Sequence, residues 1–317
     1  MGCYIVEALL DDGWTDIEVM SRGGRSDKVS FADDRRVTFT VGDVTELFPL
    51  VDAVGRASYI IHTAAIVSFH PSRYKLMHAV NVDGTANVVN AALESNVEKM
   101  IHVSSVAAIG KDDKHEEITE ETRWTNSENN AYYGVTKYLA EQEVWRGHVE
   151  GLNMAIVNPS VVLGGQAWDQ SSLKLFSKAY DGIPYYPIGS TGIVDARDVA
   201  LITLHLLKSN ISGERYIAAA ENVSYKDLFQ IMTKAMDRKG PTKPAPRWIM
   251  EIMWRIEKVR SLFSNQEPIV TKATVKRTGL DSIYINDKSK ALGWGEYRSA
   301  KETIEYFAKE YRAFREG

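Results

Sequence analysis

Short runs rich in β-branched residues recur along the first half of the chain, and helical stretches separate several of them. The runs are IEVM (17–20), VTFTV (37–41), YIIH (59–62), MIHV (100–103) and MAIVN (154–158). Helix candidates are 3–11, 81–95 and 132–148. Strands alternating with helices predict a parallel sheet, because parallel neighbours need a long crossover that a helix usually supplies. The runs are apolar on both sides, as strands covered on both faces must be. The expected fold class is therefore α/β, a doubly wound parallel sheet.

From about residue 165 the pattern changes. Segments such as WDQSSLKLFSKAYDGIPYYPIG and RKGPTKPAPRW mix helix with Pro/Gly loops. The expected division is a first domain over 1–165 and a smaller, mainly helical lobe over 166–317. Two short runs, GIVDA (192–196) and RYIAA (215–219), are expected to return to the first sheet, so 190–219 rejoins the first domain. In WIMEIMWRIEKVRSLF (248–263), Ile249, Ile252, Met253, Ile256, Val259 and Phe263 share one helical face. That face predicts a core-facing helix. A lid over an apolar pocket and a membrane-surface helix are the alternatives, the second weakened by Glu251 and Glu257 on the polar side.

Composition excludes several classes. A net charge of −4 gives no reason to expect a nucleic-acid surface. Cys3 is the single cysteine, so no intramolecular disulfide forms, and a cytoplasmic, reducing setting is expected. No signal peptide opens the chain and no apolar run approaches the ~20 residues that span a bilayer, so no membrane partner is expected. MGCYIV places Val6 where a myristoylation signal needs Ser or Thr. The seven histidines show no metal-ligand spacing. KHEEITEE (114–121) reads as a solvated loop, and no metal is expected.

The stretch AYYGVTKYLAEQEV (131–144) carries the sharpest chemistry. On a helix, residues four apart lie on one face. Tyr133 and Lys137 have that spacing, whereas Tyr132 and Lys137 do not. A tyrosine near pKa ~10 is a poor acid–base group. A neighbouring ammonium favours the phenolate and brings that value down. Tyr284 with Lys288 and Tyr297 with Lys301 repeat the spacing, so spacing alone does not choose among them.

Other segments fit a dinucleotide. Gly2 opens the first helix, where backbone N–H groups can meet a pyrophosphate. EVMSRGGR ends the second-strand position with Ser21 and Arg22, Arg25 nearby and no carboxylate. Arginine there suits a 2′-phosphate, so NADP(H) is expected ahead of NAD(H). Asp43 and Val44 follow the next run, where Asp43 can meet the adenine. In HTAA, Thr63 and the small Ala64 and Ala65 would let a cofactor lie across the strand ends. In VSSVAAIG a serine, Ser104 or Ser105, stands where parallel sheets place ligands.

Together, HTAA, NVDGT (81–85), VSSVAAIG, YGVTK, NPSVVLGG (158–165) and VDARDVA (194–200) resemble the extended short-chain dehydrogenase/reductase family, also called the NAD-dependent epimerase/dehydratase family. HTAAIVSF and NDKSKALGW are similar to its dihydroflavonol-reductase and 3β-hydroxysteroid-dehydrogenase branch. The Arg-Asp-Phe element usual in sugar-nucleotide enzymes does not appear before the VDARDVA segment. The resemblance implies a Rossmann-type dinucleotide-binding domain followed by a substrate lobe. It implies a catalytic set of Ser105, Tyr133 and Lys137, with Ser105 preferred to Ser104 as the serine five residues before Gly110. It also implies support from Asn81, Pro159 and Ser160 beside the nicotinamide, and no role for Tyr284 or Tyr297. The implied activity is NAD(P)-dependent hydride transfer between nicotinamide and a small-molecule carbonyl or alcohol. An epimerase or dehydratase would use the same residues for a transient oxidation. A non-catalytic cofactor-binding protein is the third reading. A homodimer through 81–95 and 132–148 is implied as well.

The family's fold starts with a strand and a Gly-x-x-Gly-x-x-Gly loop, and the chain starts at the position of that loop's last glycine, Gly2. The expectation is about ten further upstream residues, with 17–20 and 59–62 left without a shared partner and roughly 9–10 Å apart. Weak cofactor binding by the chain as it stands is expected with it.

Overall fold

The computed structural model describes residues 1–110, 117–125, 131–165, 168, 171–263, 275 and 281–317. Helix α1 (Gly2–Asp11) is followed by β1 (Ile17–Ser21), β2 (Val37–Val41), α2 (Leu47–Arg56) and β3 (Tyr59–His62). Then come α3 (Tyr74–His78), a π-helical turn at Ala79–Asp83, α4 (Gly84–Leu93) and β4 (Lys99–Val103). Short β5 (Glu117–Ile118) precedes α5 (Tyr132–Val149) and β6 (Met154–Pro159). The second half holds β7 (Val161–Leu163), α6 (Lys174–Asp181), β8 (Tyr185–Tyr186), β9 (Ser190–Asp195) and α7 (Ala196–Lys208). It continues with β10 (Glu214–Ala218), β11 (Glu221–Ser224), α8 (Tyr225–Ala235), β12 (Lys243–Pro244) and α9 (Arg247–Phe263), and Ala300–Glu316 is the last helix.

Four parallel strands form the central sheet in the order β10-β6-β4-β3. β1 and β2 pair in parallel as a separate ribbon. As expected, β1 and β3 do not pair with each other. RYIAA returns to the central sheet as β10, beside β6. GIVDA does not. It forms β9 of a second, three-stranded sheet, parallel to β7 and antiparallel to β11. Strand propensity is local, but the partner edge is not: beyond β6 the chain continues as β7 and presents a new edge that β9 takes.

The central sheet is covered on both faces. Ile101 and Val103 of β4 and Ala155 and Val157 of β6 pack with Ile5, Val6 and Leu9 of α1 and Val199 and Ile202 of α7. Met100, Met154 and Ile156 pack on the other face with α2, α4 and Val144 of α5. Successive strand residues point to opposite faces, so His102 and Ser104 follow Met100 toward α5, and Asn158 follows Ile156. That alternation puts polar side chains under α5 at the C-terminal ends of the strands.

The 248–263 helix exists as α9, but its expected core-facing orientation is corrected. Ile252, Met253, Ile256 and Val259 are exposed, while Met250, outside the expected face, is 3% exposed. Met250 packs with Ala245, Val275 and Trp254. Periodicity defines an apolar face without naming what covers it. The side chain of Phe263 lies outside the described residues, as do 114–116 of the acidic stretch. Among the described residues there is no group of three or more potential metal ligands and no helix long and apolar enough to cross a membrane.

Candidate active site

The site lies where β3, β4 and β6 end and α5 begins. α5 starts after Ala131, whose extended backbone (φ −65°, ψ 144°) feeds the helix without a side-chain cap. Its first turn closes tightly on the Val106–Ala108 turn, because a Cβ at Gly134 would come within 3.0 Å of the Ala107 carbonyl. This close approach brings Tyr133 beside Ser105, near enough for the serine hydroxyl to favour the phenolate. The Ser105 hydroxyl also accepts from the Ala107 N–H at 3.1 Å. Ser104, its neighbour, points under α5 to Glu141 instead. Tyr132 turns outward and its ring sits 4.9 Å from that of Tyr74.

Lys137, one turn after Tyr133, is 1% exposed and donates to the Val103 carbonyl at 3.2 Å. Burial pulls its pKa down to about 8, opposed by Glu141. The expectation that Lys137 lowers the Tyr133 pKa is corrected. Burial pushes the phenol above its ordinary value, and the nearby Ser105 hydroxyl only partly opposes this. Taking a phenolate out of water costs more here than its neighbours return. Tyr284 and Tyr297 stand elsewhere: Tyr284 packs with Val106 and Ile217, and the Tyr297 hydroxyl bonds Ser289.

Asn81 sits within the π-helical turn, a local widening often found at functional positions. Its amide oxygen accepts from the Ile66 N–H at 2.7 Å, and its amide nitrogen donates to the Ile66 carbonyl at 3.0 Å. The same nitrogen donates to the Thr136 hydroxyl at 3.0 Å, and Thr136 donates to the Tyr133 carbonyl at 2.9 Å. Asn81 thus ties the loop after β3 to the first turn of α5.

Several of the expected cofactor positions cluster. Gly2 at the start of α1 lies beside Thr63, whose hydroxyl would be 3.5 Å from a Cβ built on the glycine. Ala64 and Ala65 are exposed in the loop after β3. Ser21 ends β1 and donates to the Gly24 carbonyl at 3.1 Å. Arg22 is exposed and close enough to Asp43 to help hold that carboxyl below its ordinary range, after the larger contribution of the Thr45 N–H. Arg25 is engaged by Asp27 and Asp33. Val44 is buried, and its carbonyl accepts from Asn87 at 2.9 Å. Pro159 ends β6, and the Ser160 side chain lies against Gly192 of the second sheet.

Four buried polar residues escaped the sequence reading: Glu141, Asn158, His62 and His102. Glu141 is four residues past Lys137, a signal present in the sequence but unused. The others follow from strand alternation once the sheet's two faces are known. The His62 and His102 rings lie 5.2 Å apart, and burial holds both pKa values down, His62 to about 3.

A family model described as the NAD dependent epimerase/dehydratase family matches residues 1–219. The chain belongs to that family. It is thus an extended short-chain dehydrogenase/reductase with a Rossmann-type fold. Sterol demethylase protein B of Methylococcus capsulatus is 28% identical over 257 residues, covering 79% of this chain and 76% of that one. Cinnamoyl-CoA reductase 1 of Petunia hybrida is 27% identical over 248 residues, covering 73% of each. The crystal structure of gox2253 superposes with a TM-score of 0.80 at 27% identity, covering 100% of this chain and 95% of that one. The residues present fit the family's dinucleotide: an uncapped helix start at Gly2, a hydroxyl at Thr63 and two exposed alanines leave room and donors for it.

Proposed function

We propose that the protein is an NADP(H)-dependent oxidoreductase acting on a carbonyl or alcohol of a small molecule, with net reduction as its main direction. The observation that carries this reading is the placement of Ser105 beside Tyr133, with buried Lys137 one helical turn on. The nicotinamide, when bound, supplies or accepts the hydride. Tyr133 donates the proton to the carbonyl oxygen. Its upward-shifted pKa keeps the phenol protonated at neutral pH, as a proton donor must be. Ser105 orients the same oxygen through its hydroxyl. Lys137 would face the nicotinamide ribose. Gly2, Thr63, Ala64 and Ala65 would cradle the dinucleotide, and Arg22 would hold a 2′-phosphate.

The relatives support reduction over epimerisation, since one of them is a cinnamoyl-CoA reductase. The test is a panel of aromatic, sterol-like and aliphatic carbonyl compounds with NADPH absorbance as readout, run beside a panel of nucleotide sugars. Consumption of NADPH with a carbonyl compound supports the reading. Conversion of a nucleotide sugar without net cofactor turnover would replace it with the epimerase or dehydratase alternative.

A further inference from the structure

Beneath Lys137 lies a carboxylate that none of the roles above uses. Glu141 is on the next turn of α5 and is 1% exposed. It accepts a short hydrogen bond from the Asn158 amide, and Asn158 also donates to the Ser105 carbonyl at 3.0 Å. On its other side the Arg215 guanidinium of β10 stands 3.4 Å away. Arg215 is anchored in turn by the Glu120 carbonyl, to which it donates at 2.8 Å. A lone buried carboxylate is costly, and one held from two sides is arranged.

We propose that Glu141 is a positioning residue for the active site: it holds Asn158 against the Ser105 peptide and provides the counter-charge that lets buried Lys137 stay an ammonium. Lys137 is buried, and its one hydrogen bond among the described residues is to the Val103 carbonyl. His62 of β3, His102 of β4 and Glu141 of its own helix stand near enough to feel its charge, with Arg215 of β10 behind Glu141. Both histidines are held neutral by burial, so they add no like charge beside the ammonium. Burial draws the lysine down to about 8, and Glu141 is the neighbour that opposes this. Burial raises the carboxyl of Glu141, while Ser104, Arg215, Asn158 and Lys137 pull it back toward the charged form. The geometry thus links the proton donor, its serine and the lysine to one buried group.

This inference rests on the reading of Lys137 as a site residue, and its test is independent of turnover. The full chain is labelled with 13C-lysine, and the Lys137 signal, identified through Lys137→Met, is titrated by NMR without cofactor. Glu141→Gln keeps an acceptor for Asn158 but removes the charge. The Lys137 midpoint should then fall by about one pH unit or more. Glu141→Asp keeps the charge farther away and should give a smaller fall. An unmoved midpoint in the glutamine variant overturns the proposal. If that variant does not fold, an unmoved midpoint in the aspartate variant does the same. A shifted midpoint in a protein that turns over no carbonyl compound would leave Glu141 as assigned and sink the proposed reaction instead.

Discussion

Asn81 and Thr136, which are 55 residues apart in sequence, are joined by a buried 3.0 Å hydrogen bond. Through it the loop after β3 is tied to the helix that carries Tyr133 and Lys137. Asn81→Ala leaves the Ile66 N–H and carbonyl and the Thr136 hydroxyl without this partner. The expected cost is about 1–3 kcal/mol of stability in denaturant unfolding. Turnover should fall by on the order of 10²-fold as Tyr133 loses its alignment. Unchanged turnover in a folded variant would show that the tie is only structural.

Tyr133→Phe keeps the ring and removes the proton-bearing hydroxyl. Turnover should drop by about 10²- to 10⁴-fold with cofactor affinity nearly intact. Tyr132→Phe, on an outward-turned ring 49% exposed, should stay within about twofold of the parent. Steady-state rates together with a cofactor titration separate the two, and a larger loss at Tyr132 would refute the assignment.

Arg22→Ala should weaken NADPH about tenfold and leave NADH little changed, since only NADPH offers the 2′-phosphate. Arg25→Ala should do less, because Arg25 is already engaged by Asp27 and Asp33. Equal weakening of both cofactors at Arg22 in a binding titration would count against the NADP assignment.

The buried histidines set a pH dependence. His62 is held to about 3 and His102 well below its ordinary value, both chiefly by burial. Unfolding exposes them to water, where they take up protons below about 6.5. Between that pH and their folded values the unfolded state binds more protons, so stability falls as pH falls. His102→Leu removes one such site. The slope of unfolding free energy against pH, measured over roughly pH 4–6, should become shallower by up to about 1.4 kcal/mol per pH unit. Parallel slopes for parent and variant would contradict the burial argument.

Helix α9 offers a test of packing. Met250→Ala removes a buried side chain and should cost about 2 kcal/mol. Ile256→Ala, on a side chain 60% exposed, should change stability by no more than about 0.5 kcal/mol. A larger loss at Ile256 would show that its face is covered after all.

The sequence determined what depends on short range. Alternating β-branched runs and helices set the α/β class, and the four-residue spacing separated Tyr133 from Tyr132. Family motifs pointed to Ser105, Asn81 and the loop at Thr63–Ala65, which the fold brings to the same strand ends. Tertiary structure decided what depends on which surfaces meet. GIVDA is a strand in any reading, but its edge belongs to β7 and β11. The apolar stripe of α9 is real, yet Met250 rather than that stripe is buried. The spacing of Tyr133 and Lys137 suggested a lowered phenol pKa, whereas burial of the pair decides its sign. Glu141, Asn158, His62 and His102 became a single polar layer only when three strands and α5 were stacked together. Periodicity states which residues share a face; the free energy of a buried charge depends on what that face is pressed against.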